Sequence, residues 1–200
     1  MRLALLRHGR TEWNAAGRVQ GHIDIPLSEE GLSEMAARRL PFCFPRVYAS
    51  PMLRARQTAE ALGLIDPVLD ARLMEQNWGV WEGLTRAEIL ARDGDDAFVK
   101  AGSNEGESFR PGGGESTGEL HARVADFLKD VARPDADAVV VAHLGVLRAA
   151  YTLATGWDMA TPMPADLDVS KILLLTLDAG GKPGIEKLNA DFNPRTAQPS

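Results

Sequence analysis

Two hundred residues, 44% of them hydrophobic and 25% charged, have the composition of an ordinary water-soluble chain with room for one domain and a full apolar core. A net charge of −6 and a pI near 5.3 argue against a nucleic-acid or anionic-membrane binder, so positive charge for an anionic ligand must be concentrated in a pocket. The single Cys43 excludes an internal disulfide framework and a cysteine metal cage; four apolar residues (3–6) ahead of Arg7 are too few for a signal peptide, and no apolar run could span a bilayer, which predicts a cytoplasmic protein.

In chain order, residues 3–6 read as a buried strand that runs straight into Arg7, His8 and Gly9. Ser28 caps a helix over residues 29–40, with Glu29 and Glu30 in its first turn. A second strand covers residues 46–49; Ser50 then stands as the cap of a helix with Pro51 at its first position and Arg54 in about its first turn. Thr85 with Glu88, and Ser116 with Glu119, have the spacing of capping boxes. Between them, residues 93–114 are rich in Gly, Asp, Glu and Ser and lack periodicity, so a lid or cap excursion is placed at about 76–114; a solvated loop is the alternative. Residues 138–142 (AVVVA) are a third strand, 145–154 a helix with Gly156 near its end, 171–177 a fourth strand, and 184–188 a sheet edge. The tail from 193 to 200 looks frayed, and Cys43, between Phe42 and Phe44, reads as a small core residue. Short apolar strands separated by helices predict an α/β fold: one domain over 1–200, a three-layer αβα sandwich with a mainly parallel central sheet.

Two of the four histidines share a position in this architecture, His8 after the first strand and His143 after the third. Ligands of open parallel sheets bind beyond the carboxyl ends of the strands, so these two imidazoles are expected to face one another, with Arg7 and Arg54 beside them. Two arginines and two histidines suit a tetrahedral oxyanion, because guanidinium forks match phosphate oxygens and imidazoles add donors. They would repel a metal cation, and no H-E-x-x-H spacing is present. His22 and His121 read as surface or boundary residues, and Trp78 and Trp81 as packing first and site walls second. "PGGGES" lacks the Gly-Lys-Ser/Thr ending of a phosphate loop and reads as a turn with a helix cap.

"LLRHGRTEWN", "GRVQGHIDIPLSEEG", "VYASPMLRARQTA", "RLMEQNWGVWEGLT", "PGGGES" and "VVVAHLGVLRA", in that order over residues 3 to about 150, resemble the histidine phosphatase superfamily. The fold implied is that of the phosphoglycerate mutases, and the branch resembled is that of short bacterial phosphatases, which includes α-ribazole phosphatase. The resemblance implies that His8 is a nucleophile forming a phosphohistidine, and that Arg7, Arg54 and His143 hold the phosphoryl oxygens. Asn14, Gln20, Gly21 and the backbone of Leu144 match further phosphate contacts. Glu75 falls at the proton donor, with Glu82 of "WEG" as its rival. To arrive protonated, Glu75 needs a pKa raised by burial near Trp78 and Trp81 or by the phosphate's charge, against the pull of the arginines.

Arg10 stands where the family commonly has Glu or Gln and adds a cation at the mouth; Leu144 replaces a usual Gly and crowds the amide beside it. The implied activity is a phosphomonoester hydrolase that needs neither metal nor cofactor and acts on a small phosphorylated metabolite, with α-ribazole 5′-phosphate one candidate among sugar phosphates, nucleotides and phosphoproteins. A cofactor-dependent phosphoglycerate mutase is the alternative within the fold, disfavoured by the short segment after the acid residue. A non-catalytic phosphate- or phosphoprotein-binding regulator is the alternative from another class; it would not need both His8 and Glu75, and the presence of the whole set counts against it. The expected partner is the small-molecule ester alone, with no nucleic acid or membrane, in a monomer or homodimer.

Overall fold

The structure is a computed structural model that describes residues 1–94, 97, 108–157 and 164–195. Its strands are β1 (Arg2–Arg7), β2 (Arg38–Arg39), β3 (Arg46–Ala49), β4 (Val68–Leu69), β5 (Ala138–Ala142), β6 (Ile172–Leu177), β7 (Pro183–Ala190) and β8 (Asn193–Pro194). The α-helices are α1 (Glu12–Ala15), α2 (Glu29–Ala36), α3 (Leu53–Ala61), α4 (Arg86–Asp93), α5 (Thr117–Val131) and α6 (Leu144–Thr155). Six strands make the central sheet in the order β4-β3-β5-β1-β6-β7. β4, β3, β5 and β1 pair in parallel, and β6 runs against them, with β7 antiparallel to β6 at the edge.

The near-continuous apolar strands follow from helices on both faces. Leu3, Leu5, Val140 and Ala142 point to one side and meet Leu120, Val124, Phe127 and Leu128 of α5 and Val146, Leu147 and Ala150 of α6. Ala4, Leu6, Val139 and Val141 point to the other and meet Ala55, Ala59 and Leu62 around α3. The two-residue period of the strands thus feeds two cores, each contacted by helices whose apolar residues recur every three or four positions. Each fully buried leucine contributes about 2 kcal/mol, so the layers are held mainly by area removed from water.

The structure corrects four expectations. α3 begins at Leu53, not at Pro51, because Ser50 does not cap it: Met52 is the N-cap and makes no side-chain cap bond, while the Ser50 hydroxyl is bonded to His143. α2 keeps its Ser28 cap but stops at Ala36, since Arg38–Arg39 pair as a strand with Asn193–Pro194. For the same reason residues 193–195 are not frayed; Arg195 N–H donates to the Ala37 carbonyl at 2.8 Å, and 196–200 lie outside the described residues. Cys43 is exposed, because the turn between Pro41 and Pro45 sends only Phe44 into the core. Of the expected lid, residues 95–96 and 98–107 lie outside the described residues; what is described around it includes a 3-10 turn at Gly79–Trp81 and α4, started by the Thr85–Glu88 capping box.

Candidate active site

Sheet register brings three segments to one edge. Leu6 pairs with Val141 and Arg7 with Ala142, while Ala49 pairs with Val141 from the other side, so β1, β3 and β5 end level. Beyond their ends His8 N–H donates to the Ala142 carbonyl at 2.9 Å and Ser50 N–H to the Val141 carbonyl at 3.0 Å. The His8 and His143 rings consequently lie 5.1 Å apart between centroids, tilted by 57°, although 135 positions separate them in sequence. Both are buried.

His8 has its reactive nitrogen set by its backbone. Its Nδ1 lies 2.7 Å from the Gly9 carbonyl oxygen, which only accepts, so Nδ1 carries the proton and Nε2 holds the lone pair. Burial, and then the charges of Arg7 and Arg54, push the His8 pKa down to about 3, which keeps the ring neutral. Gly9 is in turn held: its N–H donates to Thr58 Oγ1 at 2.9 Å, and Thr58 Oγ1 donates to the Arg54 carbonyl at 2.7 Å, one turn earlier on α3. The approach of this segment to α2 is close. A Cβ on Gly31 would collide with the Arg10 carbonyl oxygen, so only glycine fits there.

Arg54 is fully buried and donates from its two terminal nitrogens to the carbonyls of Gly21 (2.8 Å) and Ile23 (3.0 Å). That fixes the 20–23 loop, and Gln20 with it, against the site. Among the described residues the Nε atoms of Arg7 and Arg54, Nδ1 of His143 and Oε1 of Gln20 are buried without a hydrogen-bond partner. His143 is pushed well below the ordinary histidine pKa, by burial first and then by His8 and nearby arginines. With Ser50 Oγ 2.8 Å from its Nε2, a donating hydroxyl leaves the single ring proton on Nδ1. Three unpartnered donors at one sheet edge cost about 1–3 kcal/mol each in an empty site, a cost that incoming oxygens remove.

Asn14 uses Oδ1 to accept from Thr11 N–H (3.0 Å) and the Thr11 hydroxyl (3.1 Å), which frees its amide N–H groups. Leu144 opens α6, where its N–H has no intrahelical acceptor. Arg10 is exposed and 3.1 Å from Glu30, so the extra cation is offset at the surface. Arg7, His8 and Asn14 also wall a cavity of about 250 Å³ that reaches Arg38 and Ser170.

Glu75 is seated against the start of α6. Its Oε1 accepts from its own neighbour Gln76 N–H and from Gly145 N–H, both at 2.9 Å, while among the described residues no hydrogen bond reaches Oε2. Its carbonyl accepts from His22 Nε2 (2.8 Å) and Arg123 (3.1 Å), so backbone and side chain are both clamped. The rival Glu82 is already engaged: its carboxylate accepts from the backbone N–H groups of His22, Ile23 and Trp78. Trp78 stacks on Trp81 in a separate small core with Ile89. The fold thus brings the sequence candidates His8, Arg7, Arg54, His143 and Glu75 to one region, and adds to them Ser50, Thr58 and His22, which sequence reasoning did not single out for the site. Ser50 had a signal, its place one residue beyond a parallel strand.

A profile of the histidine phosphatase superfamily (branch 1) matches residues 3–191. The chain belongs to that superfamily. It is a phosphatase-type hydrolase of the phosphoglycerate-mutase-like fold, with a central mixed sheet between helices. Among histidine phosphatases and their kin it is 36% identical over 166 residues to a metal-independent phosphoserine phosphatase of Arabidopsis thaliana, covering 76% of this chain and 68% of the other. To a glucosyl-3-phosphoglycerate phosphatase of Mycobacterium tuberculosis it is 34% identical over 168 residues, covering 74% and 72%. A mycobacterial glucosyl-3-phosphoglycerate phosphatase solved as a complex with VO3 superposes with a TM-score of 0.78 at 28% identity, covering 95% of this chain and 99% of that one. Among the described residues no group of three or more His, Cys, Asp or Glu is placed to hold a metal ion, and no helix is long and apolar enough to cross a membrane.

Proposed function

We propose that the protein hydrolyses a small phosphomonoester without a metal ion, through a phosphohistidine on His8. The observation that carries this reading is the set of buried, unpartnered donors of Arg7, Arg54 and His143 around an imidazole whose Nε2 lone pair is free. In the first half-reaction His8 Nε2 forms a bond to phosphorus as the bond to the alcohol oxygen breaks, and Glu75 Oε2 gives that oxygen its proton. In the second, Glu75 takes a proton from water, the water oxygen attacks phosphorus, and His8 leaves as the neutral ring it was. The guanidinium groups, Asn14 and the Leu144 amide stabilise the charge spread over the phosphoryl oxygens, and they are fixed before substrate arrives.

The alcohol is proposed to be that of a small metabolite. Phosphoserine and glucosyl-3-phosphoglycerate, from the names of the relatives, and α-ribazole 5′-phosphate, from the sequence resemblance, are the esters to try first. The test is hydrolysis of p-nitrophenyl phosphate in excess chelator by the wild type and by His8→Ala. Activity is expected in the first and not in the second; full activity of the variant, or strict dependence on a divalent ion, overturns the reading. Following 3-phosphoglycerate with 2,3-bisphosphoglycerate separates phosphate release from isomerisation, and isomerisation without release would make the chain a mutase.

A further inference from the structure

The mechanism above makes no use of Arg148, which is half-buried. This residue lies on α6, three positions after Gly145, whose N–H holds Glu75 Oε1 at 2.9 Å. Positions i and i+3 share a helix face, so Arg148 projects from the same side of α6 as the one that seats the acid. The two are also electrostatically coupled, since Glu75 is the charge that opposes the lowering of the Arg148 pKa by burial. A Cβ added at Gly145 would run into Glu75 Oε1, so the face of α6 that carries Arg148 is the one turned toward the acid.

Its surroundings are unusual for an arginine. The guanidinium carbon lies 5.4 Å from the Trp157 ring centroid, and Trp157 itself packs edge-on to Tyr151 at 6.0 Å. An aromatic face anchors a guanidinium while leaving its rim of N–H donors available. Among the described residues Nε of Arg148 is buried without a hydrogen-bond partner, and no carboxylate lies within ion-pair distance. Arg72 and Arg123, also half-buried, are by contrast neutralised, the first by Asp70, Asp126 and Asp130 and the second by Glu115. A desolvated cation left without an anion is costly, and a ligand anion would remove that cost.

The chemistry fixes where such an anion would come from. Glu75 protonates the alcohol oxygen, so a cation beside Glu75 that has no part in holding the phosphoryl oxygens is set to meet the alcohol part of the ester. We propose that Arg148 is a specificity residue that receives a carboxylate carried by the substrate's alcohol, so that phosphorylated hydroxy acids are preferred over esters of the same size without that group. This rests on the phosphatase reading of the same site.

Matched pairs test it. 3-Phosphoglycerate differs from glycerol 3-phosphate, and O-phosphoserine from phosphoethanolamine, essentially by the carboxylate. The wild type is expected to favour the carboxylate member by roughly thirtyfold in kcat/KM, the value of one charged hydrogen-bonded contact. In Arg148→Gln that ratio is expected to fall to near unity, with the loss appearing in KM of the acid ester, and Arg148→Lys to restore part of it. An unchanged ratio in Arg148→Gln, with both members losing rate equally, would show a structural role or an effect through Glu75 alone and overturn the proposal. So would a wild type that does not distinguish the members of either pair. Failure of the wild type to hydrolyse any of the four esters or p-nitrophenyl phosphate refutes the phosphatase reading itself and takes this inference with it.

Discussion

A neutral His8 at pH 5 is the prediction with the largest lever. Its ring is buried between two guanidinium groups, and its pKa is held at about 3. In the unfolded chain the same ring titrates at about 6.5. Between these values the unfolded state binds a proton that the folded state refuses, so stability is at its full value above about 6.5 and declines as pH falls toward 3. At pH 5 an ordinary histidine is about 97% protonated, and the accumulated loss from this one group is about 2 kcal/mol relative to pH 7.5. His8→Gln removes the titration, so the stability of the variant relative to wild type should rise by about 2 kcal/mol between pH 7.5 and pH 5.0 in urea unfolding. Carbon-13 NMR of the labelled histidine rings should show the His8 resonance, assigned by its absence from the variant, still neutral at pH 5. A stability difference that is the same at both pH values, or a His8 midpoint near 6.5, would refute the reasoning and with it the idea that Arg7 and Arg54 hold the ring ready as a nucleophile.

Three further outcomes follow from the site's contacts. Glu75→Gln should lose about a thousandfold in kcat/KM, which reports phosphoryl transfer to His8 alone, with an alkyl phosphate, whose poor leaving group needs the proton, and far less with p-nitrophenyl phosphate, whose phenolate leaves unaided; equal losses in kcat/KM would remove Glu75 as the acid. Ser50→Ala strips His143 Nε2 of its bond and should cost about 1–3 kcal/mol in urea unfolding and about tenfold in kcat/KM, whereas a silent change would mean the ring proton is set elsewhere. Gly31→Ala adds helix propensity worth about 1 kcal/mol but drives a Cβ into the Arg10 carbonyl, which cannot rotate away; the expected net loss is about 1–3 kcal/mol, and a more stable variant would contradict the packing.

What the sequence made legible depended on whether a physical rule spans short distances. His8 and His143 could be placed together because both directly follow an apolar strand, and parallel strands end level. Arg54 could be placed because a helix after the second strand returns its first turn to the same edge. The bonds from His22 to the Glu75 carbonyl and from Gly9 to Thr58 join segments 53 and 49 positions apart without any periodic signal, so nothing local announces them. β2 and β8 are two residues each, too short to show alternation, and Arg38–Arg39 look like the end of a helix until Asn193–Pro194 arrive to pair with them. Ser50 was misassigned for a different reason: a serine before a proline suits a helix cap, and only the fold shows that its hydroxyl is used by His143.

The central claim is that His8 receives the phosphoryl group. Brief exposure to a phosphorus-32-labelled ester, followed by rapid denaturation, should trap a label that is stable in base, labile in acid, carried on the peptide containing His8, and absent from His8→Ala. A label that survives acid, or one that persists undiminished in His8→Ala, would place the phosphoryl group on another residue and contradict the account.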